Sequence, residues 1–258
     1  MMKKRMITTL TLVLLITALI IPTQIFAKDD TSNLKNLVST AMNDKSDLGT
    51  INTKLITMGA TQEDLNNMNM FQKKVLAQFY DKHNGNAVLL KDENGEFGTR
   101  GLGDLSIYGG ASYSGSDGTY KYAYVVWSAS CDVKPIDMGI GSAFSDGWNI
   151  IDHEALTMYL DFWGTEEVEY MYCISSQPQA GVAYGYDEYP WWIDHCNSVF
   201  SMDLRTSAAN SGTTDVVGAC SYSETDVTLG ANIGISPSIT FTPSGSVYQR
   251  ADTDYFDY

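Results

Sequence analysis

The sequence predicts a mainly β protein, an antiparallel β-sandwich or barrel preceded by a small α-helical N-terminal unit. Up to residue 83, apolar residues recur at three- and four-residue spacings, the period of an amphipathic helix. From residue 87 they alternate with other residues, the period of a strand. Turns rich in Gly, Ser and Asp separate the alternating stretches, as in sandwiches and barrels. These changes divide the chain into a signal peptide (1–27), a helical unit (28–86) and an antiparallel β domain (87–258).

The first 27 residues have the organisation of a secretory signal peptide. Three basic residues, from Lys3 to Arg5, precede an uncharged apolar run over residues 6–21, and Ala27 offers a small residue for cleavage. An uncleaved anchor is the alternative, but a run of about 16 residues is shorter than the roughly 20 that a spanning helix needs. The C-terminal residues 252–258 contain no apolar tail that would predict a second anchor. We therefore expect a secreted, extracellular protein with no stable membrane anchor after cleavage.

The helical unit is predicted to contain three short helices. The first has an apolar face formed by Leu34, Leu37, Val38, Ala41 and Met42. The second covers residues 51–58 and ends at Gly59, because glycine favours the position after a helix. The third begins after Thr61, with Asp64 spaced for a capping box, and ends near His83, which we expect to cap its C-terminus. So small a unit does not bury its apolar faces alone, so we expect it to pack on the β domain or on a partner.

Within the β domain, one segment predicts a central strand. Between Thr119 and Ser130 both alternating sets of residues are largely apolar or aromatic, which indicates burial on two faces. A hairpin is predicted over residues 87–100, around the turn Asn94-Gly95. Further one-faced strands are predicted over residues 156–162, 168–174 and 200–204. The longest alternation, residues 227–241, predicts one long strand that Pro237 bends or confines to a sheet edge.

Four cysteines follow the leader: Cys131, Cys173, Cys196 and Cys220. An even number in an exported chain predicts two disulfides, and four cysteines allow three connectivities that the spacing does not separate. Thiols are the alternative. The sequence has no C-x-x-C pair and no Cys/His cluster of zinc type, so it predicts no metal site and no cofactor.

The charge of the chain limits its partners. The formal net charge is −15, and loss of the leader's three basic residues makes it −18. Because contacts to phosphate need basic side chains, nucleic acid and anionic membranes are unfavourable partners. An alternative explanation of the acidic charge is that it keeps the exported protein soluble.

No catalytic motif is complete. Ser142 lacks the second glycine of a G-x-S-x-G turn, and His153-Glu154 lacks the second histidine of a zinc-protease helix. A glycosidase needs two carboxylates, but the candidates are too many to assign: Asp152, Glu154, Asp161, Asp187, Glu188 and Asp194. Whether the protein is an enzyme stays open, and the sequence favours a non-catalytic role.

The densest group of ligand-binding residue types lies between Tyr184 and Cys196. It contains the candidate binding residues Asp187, Tyr189, Trp191, Trp192 and Asp194. Aromatic rings stack on pyranose faces and carboxylates accept hydroxyl hydrogen bonds, so this group suits a carbohydrate. Adjacent tryptophans on a strand point to opposite faces, so at most one would face a ligand. The alternative is that one tryptophan fills the core and the other covers an edge.

These observations favour a secreted, non-catalytic module that binds an extracellular carbohydrate or a protein or other ligand of the cell surface. One alternative is a secreted hydrolase of an extracellular polymer. Another is a pore-forming toxin or bacteriocin-like protein, because residues 227–241 alternate apolar with small polar residues over the length of a bilayer-spanning strand.

Overall fold

The computed structural model describes residues 33–90, 105–131, 137–144, 147–160, 166–176, 182–188, 196–210, 213–223, 231–233, 239–241 and 247–257. Its helices are α1 (Asn33–Asn43), α2 (Leu48–Met58), α3 (Gln62–Asn67) and α4 (Met70–Lys82). Its strands are β1 (Ala87–Leu90), β2 (Leu105–Ser116), β3 (Tyr120–Cys131), β4 (Asp137–Phe144), β5 (Asn149–Leu160), β6 (Glu166–Tyr170), β7 (Tyr172–Ser176), β8 (Val182–Glu188), β9 (Cys196–Ser207), β10 (Thr213–Ser223), β11 (Ala231–Ile233), β12 (Ile239–Phe241) and β13 (Val247–Asp257).

The helix ends follow the capping rules, with one departure from prediction. Gly59 adopts φ 106° at the end of α2, a left-handed conformation that glycine reaches without steric cost. Thr61 and Asp64 form the predicted capping box at the start of α3. The predicted third helix is, however, two helices. Asn69 starts α4 with a second capping box, in which its side chain accepts a hydrogen bond from the Gln72 backbone N–H.

The strands form an antiparallel sandwich of two open sheets. The six-stranded sheet has the order β1-β2-β3-β9-β5-β6 and the five-stranded sheet the order β13-β10-β4-β8-β7, while β11 and β12 pair separately. Every described pairing is antiparallel. The mainly β fold class, with helices in the N-terminal part, is therefore confirmed.

The six-stranded sheet is covered on both faces. One face packs on the five-stranded sheet through a core that includes Trp127 and Phe200. The other packs on the helices through a second apolar cluster that includes Val126 and Val199. Neighbouring residues of β3 thus enter different cores, which confirms the prediction of a strand buried on two sides.

Trp127 lies at the centre of the sandwich core. Its side chain is fully buried, and its indole Nε1–H donates to Ser142 Oγ of β4 at 3.0 Å, which joins the two sheets. Two glycines make room for the ring. A Cβ at Gly109 or at Gly218 would lie 2.4 or 2.3 Å from an indole carbon. These positions require glycine because any larger residue meets the ring.

Polar side chains fix α4 on the sheet. The Asn69 amide donates to Ser130 Oγ at 2.8 Å and to Asn197 Oδ1 at 2.9 Å. The fully buried Gln72 donates to Ser106 Oγ at 3.0 Å and to the Ser128 carbonyl at 3.2 Å. The helix therefore carries directional bonds to three neighbouring strands in addition to its apolar face.

Two predicted strand features are wrong, and a third lies outside the described residues. Residues 227–241 are not one strand: β11 and β12 pair antiparallel, with Ala231 opposite Phe241, so the chain reverses between them. The alternation predicted for 168–174 breaks at Met171, and β6 and β7 belong to different sheets. The turn Asn94-Gly95 lies outside the described residues, and β1 pairs with β2.

Candidate functional site

The predicted ligand-binding residues lie mostly outside the described part of the chain. Asp187 lies in β8, where its backbone is paired with Met138 of β4, and its side chain is not described. Tyr189, Trp191, Trp192 and Asp194 fall within the undescribed residues 189–195. Their role stays a prediction.

The flanks of this segment have a definite place in the fold. Glu188 ends β8 in the five-stranded sheet, opposite Asp137, the first residue of β4. Cys196 begins β9 in the six-stranded sheet, opposite Cys131, the last residue of β3. Residues 189–195 and 132–136 therefore both connect the two sheets, and each runs between the same two pairs of opposed residues. The described residues that flank the predicted site therefore lie at one end of the sandwich.

A second group of ionisable residues lies under the helices. A cavity of about 20 Å³ is lined by residues of α1, α4, β3 and β9. Its lining includes Lys82, His83, Tyr124 and Asp203. This volume holds about one water and is far too small for a sugar ring.

Asp203 is the most perturbed carboxyl group in this cluster. Burial and, to a smaller extent, the negative charge of Asp152, directly opposite on β5, raise its pKa to about 6. Lys82 opposes this rise, and Glu154 adds to it. Like charges opposed across two strands destabilise the sheet, so the folded protein favours the protonated form of Asp203 more than the unfolded chain does.

Glu154 caps α1 from a distant part of the sequence. Its side chain is only 5% exposed, and its Oε2 accepts a hydrogen bond from the Leu34 backbone N–H at 3.0 Å. A carboxylate at a helix N-terminus satisfies an otherwise unpaired N–H and interacts favourably with the helix dipole. The bonded residues are 120 positions apart, so no local pattern reveals the cap.

A β-bulge directs Glu154 towards the helices. The register of β5 against β9 shifts between Ile150 and Asp152, which leaves the exposed Ile151 as the extra residue. Ile150 and Glu154 are four residues apart and would share one face of a regular strand. Ile150 packs on the sandwich core, whereas Glu154 contacts α1 on the opposite face. Since one extra residue exchanges the two faces of a strand, the bulge places the carboxylate where α1 begins.

His83 is the C-cap of α4, as predicted, with φ −99° and ψ 22°. Its ring lies 4.4 Å from the Phe79 ring and 4.9 Å from the Tyr124 ring, measured between centroids. Burial, and to a smaller extent the charge of Lys82, lowers the pKa of His83 to about 4. The imidazole is therefore neutral near pH 7, and a ring of such low basicity is a weak general base.

The perturbed groups are thus positioned for structure. They lie where two helices pack on a sheet, around a cavity that holds about one water. A raised carboxyl pKa between Asp187 and Asp194 would support a hydrolase, but the raised pKa belongs to Asp203, which lines the cavity under the helices. Among the residues that the structure describes, no group of three or more His, Cys, Asp or Glu is arranged to hold a metal ion.

The cysteines depart from the predicted disulfides. In the structure Cys131, Cys173 and Cys196 are thiols. Cys131 and Cys196 are fully buried in the sandwich core, and Cys173 packs against the same core. Cys220 lies in β10, and its side chain is outside the described part.

Comparisons with known proteins give neither a family nor a function. No protein-family model matches the chain, and no curated protein matches it in sequence. Among solved structures it is similar to one described as "Pore forming protein", with 8% identity, TM-score 0.37, and coverage of 66% of this chain and 96% of the other.

Two further structures are similar over smaller parts. One is the Clostridium thermocellum xylanase 10B CBM22-1-GH10 modules (13% identity, TM-score 0.24, 47% of this chain and 23% of the other). The other is the collagen binding domain of the Erysipelothrix rhusiopathiae surface protein RspB (9% identity, TM-score 0.29, 58% of this chain and 48% of the other). At these values the likenesses carry no argument about function. Within the described residues, no helix has the length and apolar character needed to cross a membrane.

Proposed function

We propose that this is a secreted, non-catalytic binding protein that recognises an extracellular carbohydrate through residues 187–194. The observation that supports the proposal is the position of the described residues on either side of 189–195. Glu188 and Cys196 belong to the two different sheets and lie at one end of the sandwich, so residues 189–195 connect the sheets there. Connections at the ends of β-sandwiches are where such folds commonly present binding residues on a rigid scaffold.

The chemistry of the segment favours an uncharged saccharide. Tyr189, Trp191 and Trp192 offer rings for stacking, and Asp187 and Asp194 offer acceptors for hydroxyl groups. The net charge of −15 opposes polyanionic ligands at the same time. Neutral polymers of the extracellular space or the cell surface therefore fit both the segment and its surroundings.

The test is retention on insoluble polysaccharides. The purified mature protein is incubated with cellulose, chitin, xylan and purified cell-wall sacculi, with and without soluble oligosaccharide as competitor. We expect retention on at least one polymer and its loss on competition. Trp191→Ala and Trp192→Ala are compared with Tyr113→Ala, which removes an exposed tyrosine of β2 that is paired with Ala123, far along β3 from Cys131.

We expect one tryptophan variant to fold and fail to bind, while Tyr113→Ala binds as the parent does. Near-ultraviolet circular dichroism checks that each variant is folded. If no polymer retains the folded protein, or if both tryptophan variants fold and bind normally, the proposal fails.

A second candidate, a pore-forming protein, is favoured by the pairing of β11 with β12. Their register opposes Ala231 to Phe241 and Ile233 to Ile239, and it pairs polar Asn232 with polar Thr240. This matching of apolar with apolar and polar with polar residues would suit a strand pair that enters a bilayer if the pairing extended from three residues per strand to about 9–11.

Release of a dye from liposomes tests this candidate, with Ile239→Asp compared against Thr240→Asp. A pore-forming protein would lose activity in the first variant and keep it in the second. Absence of leakage from neutral and anionic liposomes, including at acidic pH, would remove the candidate.

A further inference from the structure

We propose that Cys131 and Cys196 form a disulfide between β3 and β9 when the protein folds in an oxidising compartment, and that Cys173 and Cys220 remain thiols. The two half-cystines are direct partners in the antiparallel register. The bridge is independent of the ligand proposed above.

The backbone brings these two residues within disulfide range. Directly opposed residues of antiparallel strands have Cα atoms about 4.5–5.5 Å apart. A disulfide requires a Cα separation of about 4.4–6.8 Å. Cys131 and Cys196 also face the same side of the sheet, since both are fully buried in the core between the two sheets. Closing the bridge therefore needs side-chain rotation and no rearrangement of strands.

The strand order favours this pairing over the others. Cys173 lies in β7 and Cys220 in β10, both in the five-stranded sheet. The described strand pairings place neither of them directly opposite Cys131 or Cys196. Between β10 and β7 lie β4 and β8, which separates Cys220 from Cys173 by three strand spacings, about 14 Å. Once Cys131 and Cys196 are joined, Cys173 and Cys220 are therefore too far apart to form a second bridge.

The oxidation requires an acceptor of two electrons, for which we name a disulfide such as oxidised glutathione or a thiol–disulfide oxidoreductase. One thiolate attacks the acceptor's disulfide, forms a mixed disulfide and releases one thiol. The second cysteine thiolate then attacks the protein sulfur of the mixed disulfide and releases the other. In total two protein thiols lose two electrons and two protons, and the acceptor becomes two thiols.

Burial decides when this exchange happens. Both side chains are fully inaccessible in the folded protein, so an acceptor cannot reach them after the core has closed. We expect the bridge to form during folding and to resist reduction until the protein unfolds.

The bridge would join two residues at which connections between the sheets begin or end. Cys131 is the last residue before 132–136, and Cys196 is the first residue after 189–195. A covalent bond at this point fixes β3 and β9 at the end of the sandwich where the chain crosses twice between the sheets.

Peptide mapping tests the pairing without any substitution. The mature protein is refolded with reduced and oxidised glutathione, alkylated under denaturing conditions, digested and analysed by mass spectrometry without reduction. Chymotrypsin is required because no Lys or Arg separates Cys173 from Cys196. We expect one cross-linked species containing Cys131 and Cys196, with Cys173 and Cys220 alkylated. Any other intramolecular link, or four alkylated cysteines, overturns the proposal.

Variants provide a second readout. Cys131→Ala and Cys196→Ala are compared with Cys173→Ala, which alters a cysteine that packs on the same core. In the parent and in Cys173→Ala, refolding under oxidising rather than reducing conditions should raise the urea midpoint by roughly 1 M or more. In the other two variants the midpoint should not depend on the redox condition. Because each variant is compared with itself, a loss of stability from the substitution alone does not affect the result. A redox-dependent midpoint in Cys131→Ala would contradict the pairing.

Discussion

Replacement of Asp203 by Asn should stabilise the protein at neutral pH and have little effect in acid. The substitution keeps the shape of the side chain and removes a charge that burial and Asp152 oppose. The pKa of Asp203 is raised from 3.8 to about 6. One pKa unit corresponds to about 1.4 kcal/mol, so the ionised carboxylate costs the folded state on the order of 3 kcal/mol, less whatever solvent screening removes.

The sign of the pH dependence follows from linkage. Because the pKa of Asp203 is higher in the folded than in the unfolded chain, its favourable contribution is complete below pH 3.8. That contribution is lost as the pH rises through about 6, where the folded carboxyl group ionises. The advantage of Asp203→Asn over the parent should therefore be small at pH 4, grow between pH 4 and 6, and stay constant above pH 7.

Urea unfolding at half-unit pH steps from 4 to 8 measures this advantage. Glu169→Gln is the matched control, since it removes an exposed carboxylate from β6. Asp152→Asn should give a smaller gain, because it removes one of the charges that raise the pKa of Asp203. An Asp203→Asn variant that is equally stabilised at pH 4 and pH 8, or destabilised at pH 8, would refute the reasoning.

Three further predictions concern neighbouring features. His83→Phe should reduce the loss of stability that the parent shows as the pH falls below 6.5. The pKa of His83 is lowered in the folded protein, so in this pH range the unfolded chain binds a proton that the folded protein does not. Urea midpoints at pH 4.5 and 7.5 measure the difference. Glu154→Ala should cost about 0.5–2 kcal/mol by removing the cap of α1, and faster amide exchange at Leu34 should accompany it. Gly218→Ala should lower the free energy of unfolding by about 1–3 kcal/mol or more, because the new methyl group overlaps the buried indole of Trp127. In a Trp127→Leu background the same change should cost at least 1 kcal/mol less, and equal costs in the two backgrounds would contradict the contact.

Sequence reasoning succeeded where the controlling interaction is local or periodic. The capping box of Thr61 and Asp64 spans three residues, and the end of α2 at Gly59 depends on one backbone conformation. The two-sided burial of β3 was visible because both sets of alternating residues are apolar. In each case the signal lies within a single element.

It failed where the decisive partner is distant or the register shifts. The helix break at Asn69 is stabilised partly by side chains of β3 and β9, up to 128 residues away. The cap at Glu154 depends on a bulge that alternation alone does not show. The reversal within residues 227–241 was underestimated, because Pro237 was expected to bend a strand and the chain instead folds back on itself. The candidate binding residues between Asp187 and Asp194 rest on composition and topology, since most lie outside the described part.

The long reach of the α1 cap has a consequence for synthesis of the chain. Leu34 leaves the ribosome 120 residues before Glu154, and the strand that completes the helix-covered sheet, β9, follows later still. At roughly 5–20 residues per second, the N-terminal helices wait about 6–24 s for the carboxylate that caps the first of them. Throughout that interval their apolar faces have no sheet to cover. The nascent N-terminal segment is therefore expected to be a substrate for chaperones, and a ribosome-bound chain stopped before residue 154 should show protease-sensitive helices that become protected once β9 has emerged.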